Sequence, residues 1–137
     1  GEVGLGESGE TYIVGGDLTL RNQSRFLIED RDNYLRSLVE SGMSEQVIAT
    51  IDRLNTSIGL QKADAVGTKA ALAGETGTQL FTDYRGVDGL SSYSPHDIEG
   101  LQWAILSEID EAEAFRYLEK VRDRMLMLGS VFIALAI

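Results

Sequence analysis

Leu101-Gln-Trp-Ala-Ile-Leu-Ser-Glu-Ile-Asp-Glu-Ala-Glu-Ala-Phe-Arg116 decides the fold. Its first nine residues alternate. Trp103, Ile105 and Ile109 take one face, Ala104 and Leu106 the other, which is the period of a β-strand. Asp110 then stands where a helix wants its cap, and Glu111–Arg124 continues as a long helix with no break signal.

The reading extends upstream from this strand. Thr78–Tyr84 and Val87–Ser94 predict two more strands joined at Arg85-Gly86. Pro95 and Gly100 bracket a polar loop that carries His96. At the other end, Glu10–Val14 and Leu18–Asn22 alternate around Gly15-Gly16-Asp17, a hairpin whose tight turn needs positive φ. Helices fill the middle. Asp32–Val39 ends at Gly42. A stronger helix starts at Ser44 and puts Val47, Ile51, Leu54 and Ile58 on one stripe. Gly59–Gly67 is a connector, and Thr68 caps a short helix, Lys69–Ala73, that Gly74 ends. This order predicts an α+β domain. Its centre is a five-stranded antiparallel sheet with Leu101–Ile109 beside the first strand. Helices pack on the sheet, and a long C-terminal helix runs into a transmembrane segment.

Composition narrows the function. The chain has 137 residues, 43% hydrophobic and 25% charged, enough for one domain with a real core. Asp and Glu number 22 against 12 Lys and Arg, a formal charge of −10 that both halves share. Such a surface has no basic face for nucleic acid. No cysteine is present, so disulfides, thiolate metal sites and cysteine nucleophiles are excluded, and one His cannot build a zinc site.

Few motifs survive their context. Gly4-Leu-Gly-Glu-Ser-Gly9 has the G-x-G-x-x-G spacing, but a strand follows it where a dinucleotide site needs a helix. Ser8 has Glu10 where a nucleophile elbow wants Gly. His96 sits in an ordinary Ser-Pro-His-Asp loop, with no set of nucleophile, base and orienter around it. Glu29-Asp-Arg-Asp-Asn33 lacks the glycine and distal Glu of a calcium loop. Glu108, Asp110, Glu111 and Glu113 cluster at the strand-to-helix corner. They read as acids that meet the helix dipole rather than as a cation site.

Two features point to binding. Arg21-Asn-Gln-Ser-Arg25 is polar and cationic, and Tyr12, Tyr84 and Tyr93 lie on strands. Ser24, Arg25, Tyr84 and Tyr93 are the candidate ligand residues, because a cation, a hydroxyl and aromatic walls suit a small carboxylate. Phe115, Leu118, Val121, Met125, Leu128, Phe132 and Leu135 form a nearly heptad stripe suited to pairing with a second copy. Met125–Ile137 carries no charge and supplies about two-thirds of the ~20 residues of a membrane span. The expected continuation is about seven further apolar residues, then a basic juxtamembrane segment and a dimeric signalling domain. Lys120, Arg122 and Arg124 stand outside that span, against the positive-inside rule, with Glu119 and Asp123 among them.

The blocks Gly6-Glu-Ser-Gly-Glu-Thr-Tyr-Ile-Val-Gly15, Arg21-Asn-Gln-Ser-Arg25, Ala70-Ala-Leu-Ala-Gly-Glu-Thr-Gly77, Asp83-Tyr-Arg-Gly-Val87, Leu90-Ser-Ser-Tyr-Ser-Pro95 and Trp103–Ala112 together resemble Cache-type extracytoplasmic sensor domains. The similarity is to their membrane-proximal, PAS-like half. It implies a sensor domain outside the bacterial inner membrane, in a receptor such as a chemoreceptor or a class III nucleotide cyclase. Arg31-Asp-Asn-Tyr34 lacks the tryptophan of the amino-acid-binding pattern, which belongs to the membrane-distal half. The expected layout is a sensor domain at 1–110, a signalling helix at 111–124 and the start of a transmembrane helix at 125–137. The expected role is ligand sensing or signal relay through that helix, with no cofactor, no reaction in this chain and a homodimer in the receptor. The alternative is a passive dimerisation or spacer module. A polar pocket on the sheet favours sensing; a sheet face filled by Tyr and Leu favours the spacer.

Overall fold

The computed structural model describes residues 5–136. Gly4 of the glycine motif and Ile137 at the end of the apolar run lie outside them. Four strands form the sheet: β1 (Glu10–Gly15), β2 (Gly77–Thr82), β3 (Asp88–Ile98) and β4 (Leu101–Asp110). Their spatial order is β1-β4-β3-β2, antiparallel throughout. The expected pairing of the Leu101–Ile109 segment with the first strand is present, with Tyr12 opposite Leu106 and Val14 opposite Ala104.

Five helices accompany the sheet: α1 (Arg25–Glu29), α2 (Arg31–Glu40), α3 (Glu45–Leu54), α4 (Val66–Leu72) and α5 (Glu111–Leu135). The core lies on one sheet face. There Tyr12, Val14, Ala104 and Leu106 meet Leu27, Tyr34, Leu38, Ile51 and Ala71 from the helices. α4 lies directly on the strands. Gly67 makes this approach workable, because a Cβ there would stand 2.5 Å from the Phe81 ring and 2.9 Å from the Tyr93 ring. The other face carries a row of hydroxyls across all four strands. Thr11 faces Ser107 at 3.0 Å and Thr78 faces Ser92 at 2.7 Å, with Ser92 opposite Ser107.

The sheet has four strands where five were expected. Leu18–Asn22 makes only single bridges, Val14 to Leu20 and Thr19 to Lys62. Its own side chains divert it. Asp17 Oδ1 accepts the Thr19 N–H at 3.0 Å, and Leu18 turns to φ +66°. Asn22 Oδ1 then takes the Ile13 N–H at 2.7 Å, a place a strand partner's carbonyl would hold.

The transmembrane expectation is also corrected. Among the described residues no helix is long and apolar enough to cross a membrane. Arg116, Glu119, Lys120, Arg122, Asp123 and Arg124 charge the first part of α5. Its uncharged part, Met125 to Leu135, spans roughly 16 Å at ~1.5 Å per residue, about half the hydrocarbon thickness of a bilayer.

Two local expectations shift as well. Pro95 and His96 lie within β3, not in a loop. The proline is tolerated because β2 pairs only as far as Tyr93, so residues 94–98 hydrogen-bond on the β4 side alone. Thr68 caps nothing. α4 starts at Val66, and Thr68 is buried inside it with its hydroxyl unpaired.

Candidate functional site

Strand parity builds the site. Glu10 shares its face with Tyr12 and Val14, and Glu108 shares its face with Ala104 and Leu106. Both carboxyls therefore point into the core. Register sets them directly opposite one another on β1 and β4. They are 3% and 7% exposed.

Hydroxyls meet them. Tyr84, in the turn after β2, donates to Glu10 Oε2 at 2.5 Å, and Ser24 Oγ lies 2.7 Å from the Tyr84 hydroxyl. The Arg25 main-chain N–H, at the start of α1, donates to Glu10 Oε1 at 2.6 Å. On Glu108, Tyr12 donates at 2.7 Å and Ser91 at 2.9 Å, both to Oε1. Tyr12 and Tyr84 cross edge to face with centroids 5.3 Å apart, so the two halves of the network touch.

Burial governs the titration here. It pushes Glu108 up to about 7 against the opposing hydrogen bonds from Tyr12 and Ser91. It raises Glu10 as well, with Tyr84 and the Arg25 N–H pulling the other way. Burial and the neighbouring carboxylates hold the Tyr12 and Tyr84 hydroxyls far above their usual range.

A cation closes one side. Arg85 Nη2 lies 2.6 Å from Asp83 Oδ2 and 2.7 Å from Asp110 Oδ1, while its guanidinium stacks 3.9 Å above the Phe26 ring. Burial works against the guanidinium's charge, and the two carboxylates more than offset it. Burial also raises Asp83, with Arg85 opposing. Asp110 occupies the N-cap of α5 but makes no side-chain cap. Glu113, one turn on, accepts the Glu7 N–H at 2.9 Å, the Ser8 N–H at 2.7 Å and the Ser8 hydroxyl at 2.5 Å. These bonds hold its carboxyl below the usual range.

An open groove of about 580 Å³ borders this network. Asp83 and Tyr84 line it together with Met43, Val47, Leu60 and Lys62. The groove joins the α2–α3 loop, the residues before α4 and the β2–β3 turn. Lys62 makes no ion pair among the described residues.

Three of the four candidate ligand residues converge on a carboxylate, and the carboxylate belongs to the chain. Ser24, the Arg25 main chain and Tyr84 surround Glu10. The Arg25 guanidinium turns outward to Glu29 at 2.8 Å and to the Gly9 carbonyl at 2.5 Å. Tyr93 stands apart on β3, tilted against Phe81 at 6.4 Å. The corner acids divide their work: Glu108 faces the core, Asp110 binds Arg85 and Glu113 holds the segment before β1. No cluster of three or more metal-ligating side chains occurs among the described residues.

Sequence reasoning missed Glu10 and Arg85. Parity marked Glu10, two residues before Tyr12 on the buried face of β1. Arg85 stands two residues from its partner Asp83, a local signal, while its other partner Asp110 is 25 residues away.

Compared with known proteins, the chain matches no family model, no curated protein sequence and no solved structure.

Proposed function

We propose that this chain is a ligand-sensing or signal-relay domain of an extracytoplasmic, Cache-type receptor, and that it performs no reaction of its own. The stimulus enters at the groove, and the response leaves through α5, which pairs with α5 of a second copy. One observation carries the reading. Arg85 ties Asp83, in the groove wall, to Asp110, at the joint where β4 becomes α5. A ligand that prefers one position of the β2–β3 turn therefore biases the start of α5.

We assign the groove to a short-chain monocarboxylate, since its two acids, Asp64 and Asp83, are already paired with Lys69 and Arg85 and leave Lys62 as the cation for a ligand. Lys62 receives the carboxylate, and Met43, Val47 and Leu60 receive the apolar body. The inner seat of Ser24 and Tyr84 is already filled by Glu10. Calorimetry with butyrate tests the site. Heat of binding with the native chain, lost in Lys62→Ala, supports it; no heat, or equal affinity in the variant, overturns it. The relay is read on α5. The chain has no native cysteine, so a Leu128→Cys variant takes a single spin label. A butyrate-dependent change in the distance between labels of two copies supports the relay. An unchanged distance at saturation overturns it.

A second reading has one observation in its favour. The inner sheet face is filled by Tyr12, Val14 and Leu106 with the Glu10–Glu108 network, and the hollow on the sheet, lined by Thr11, Thr78, Ser92 and Ser107, lies open on the opposite face. In this reading the chain is a dimerising spacer, α5 still pairs, and butyrate does not bind.

A further inference from the structure

Two acids directly opposite each other on neighbouring strands, both pointing inward, are an unusual choice for a sheet core. Opposite positions on one face bring Cβ atoms to about 5 Å, where like charges repel. Burial removes the water that would screen them. The hydrogen bonds to Glu108 come from neutral hydroxyls, and Glu10 adds one main-chain N–H.

The surroundings do not supply enough positive charge. Tyr12 on β1 and Ser91 on β3 face Glu108. Tyr84 from the β2–β3 turn and Ser24 and Arg25 from the start of α1 face Glu10, and α2 contributes the neutral Tyr34. The Arg25 guanidinium is engaged outward. Asp83 adds a further negative charge near Glu108. The cation felt at both glutamates is Arg85, and its hydrogen bonds go to Asp83 and Asp110. The one nearby guanidinium is thus committed to Asp83 and Asp110, and the two facing glutamates are held by neutral hydroxyls and one main-chain N–H.

The hydroxyls can accommodate such a proton. When Glu10 is ionised, Tyr84 donates to it and Ser24 donates to Tyr84. When Glu10 is protonated, its O–H donates to Tyr84, and Tyr84 donates to Ser24. The heavy atoms at 2.5 and 2.7 Å serve both directions.

We propose that the Glu10–Glu108 pair is a proton-operated latch between β1 and β4, closed while the pair retains a proton and loosened when both carboxyls ionise. Opening separates β4 from β1 at the end of β4 that runs into α5. The neutral range assigned to Glu108 fits this role. The sign follows. A carboxyl raised above its ordinary value stabilises the fold fully below that ordinary value, and the contribution is lost as pH rises through the folded value. The domain is therefore tightest in mild acid and loosens between about pH 5 and pH 8. Proton uptake is a property of the sheet, and only its use as a signal rests on the sensor reading.

The test uses the full chain. Carbon-detected NMR follows the glutamate carboxyls from pH 4 to pH 9, and thermal unfolding is measured at pH 5 and pH 8 for the native chain and for Glu108→Gln. One glutamate titrating near neutrality is expected. The native midpoint should fall by roughly 5 °C or more across the range, and Glu108→Gln should show less than half of that fall. His96 lies on β3 opposite Trp103, far along the strand from Glu108, and is common to both proteins. A native chain in which every glutamate titrates below pH 6 overturns the proposal, as does Glu108→Gln with the native pH slope. If that variant does not fold, the NMR titration of the native chain decides. Butyrate binding is measured at fixed pH, so failure of the groove reading leaves the latch standing, and the reverse holds.

Discussion

Arg85 Nη2 and Asp110 Oδ1 meet at 2.7 Å, which joins the turn that walls the groove to the residue from which α5 departs. The contact is inside the fold, with the Arg85 side chain 11% exposed. It adds a side-chain tie to the sheet's own pairing there, since Gly89, just past that turn, already stands opposite Asp110 in the β3–β4 register.

Arg85→Ala should therefore cost about 3 kcal/mol, because it leaves Asp83 buried without its cation. Arg85→Lys should recover only part, since a single ammonium cannot reproduce the fork on Asp83 and Asp110 while stacking on Phe26. Urea unfolding measures both, and native stability in Arg85→Ala would refute the coupling.

Gly67→Ala should destabilise by roughly 2 kcal/mol, although alanine is the better helix former. The added methyl would stand 2.5 Å from Phe81, so α4 must lift from β2 and β3. The midpoint of thermal unfolding should fall. A rise would mean that the rings yield freely.

Glu113→Gln should release the segment ahead of β1 without unfolding the sheet. Three donors converge on that carboxylate, and a neutral amide accepts them more weakly. Hydrogen exchange at Glu7 and Ser8 should speed up roughly tenfold, equivalent to about 1.4 kcal/mol. The pH sign is opposite to that of Glu108. A carboxyl held below its ordinary value of 4.5 contributes above that value and loses the contribution as pH falls through its lower, folded value. The native segment should therefore loosen in strong acid.

Tyr12→Phe should matter most above neutral pH. The lost hydroxyl is one of two donors to Glu108, and an ionised acceptor depends on it more than a protonated one. A cost of about 2 kcal/mol at pH 8, clearly smaller at pH 5, is expected from equilibrium unfolding. A cost independent of pH would show that Glu108 keeps one charge state throughout.

Much of the sheet was legible because alternation is a local property. The first strand and Leu101–Ile109 were set side by side from their own residues, and the stripe of α3 followed from Val47 and Ile51. Leu18–Asn22 was misread for an equally physical reason. Its alternation is genuine, but Asp17 and Asn22 satisfy backbone N–H groups with their side chains and end the pairing after one bridge. The candidate site was legible in its chemistry and not in its occupant. Ser24, Arg25 and Tyr84 do assemble around a carboxylate, yet periodicity says nothing of which glutamate reaches across from a strand 15 residues away. Of the two partners of Arg85, Asp83 is two residues away and within reach of sequence reading, while Asp110 is chosen by the packed sheet.

From Phe115 onward α5 carries its large apolar side chains exposed, so after its first turn the core does not clamp it. Its 25 residues extend roughly 37 Å at ~1.5 Å each. Pivoted at Asp110, such a rod multiplies angle into distance. A tilt of about 10° at the pivot sweeps the far end through roughly 6 Å, more than one helical pitch. A displacement too small to disturb the core thus carries Leu135 through more than the rise of one helical turn.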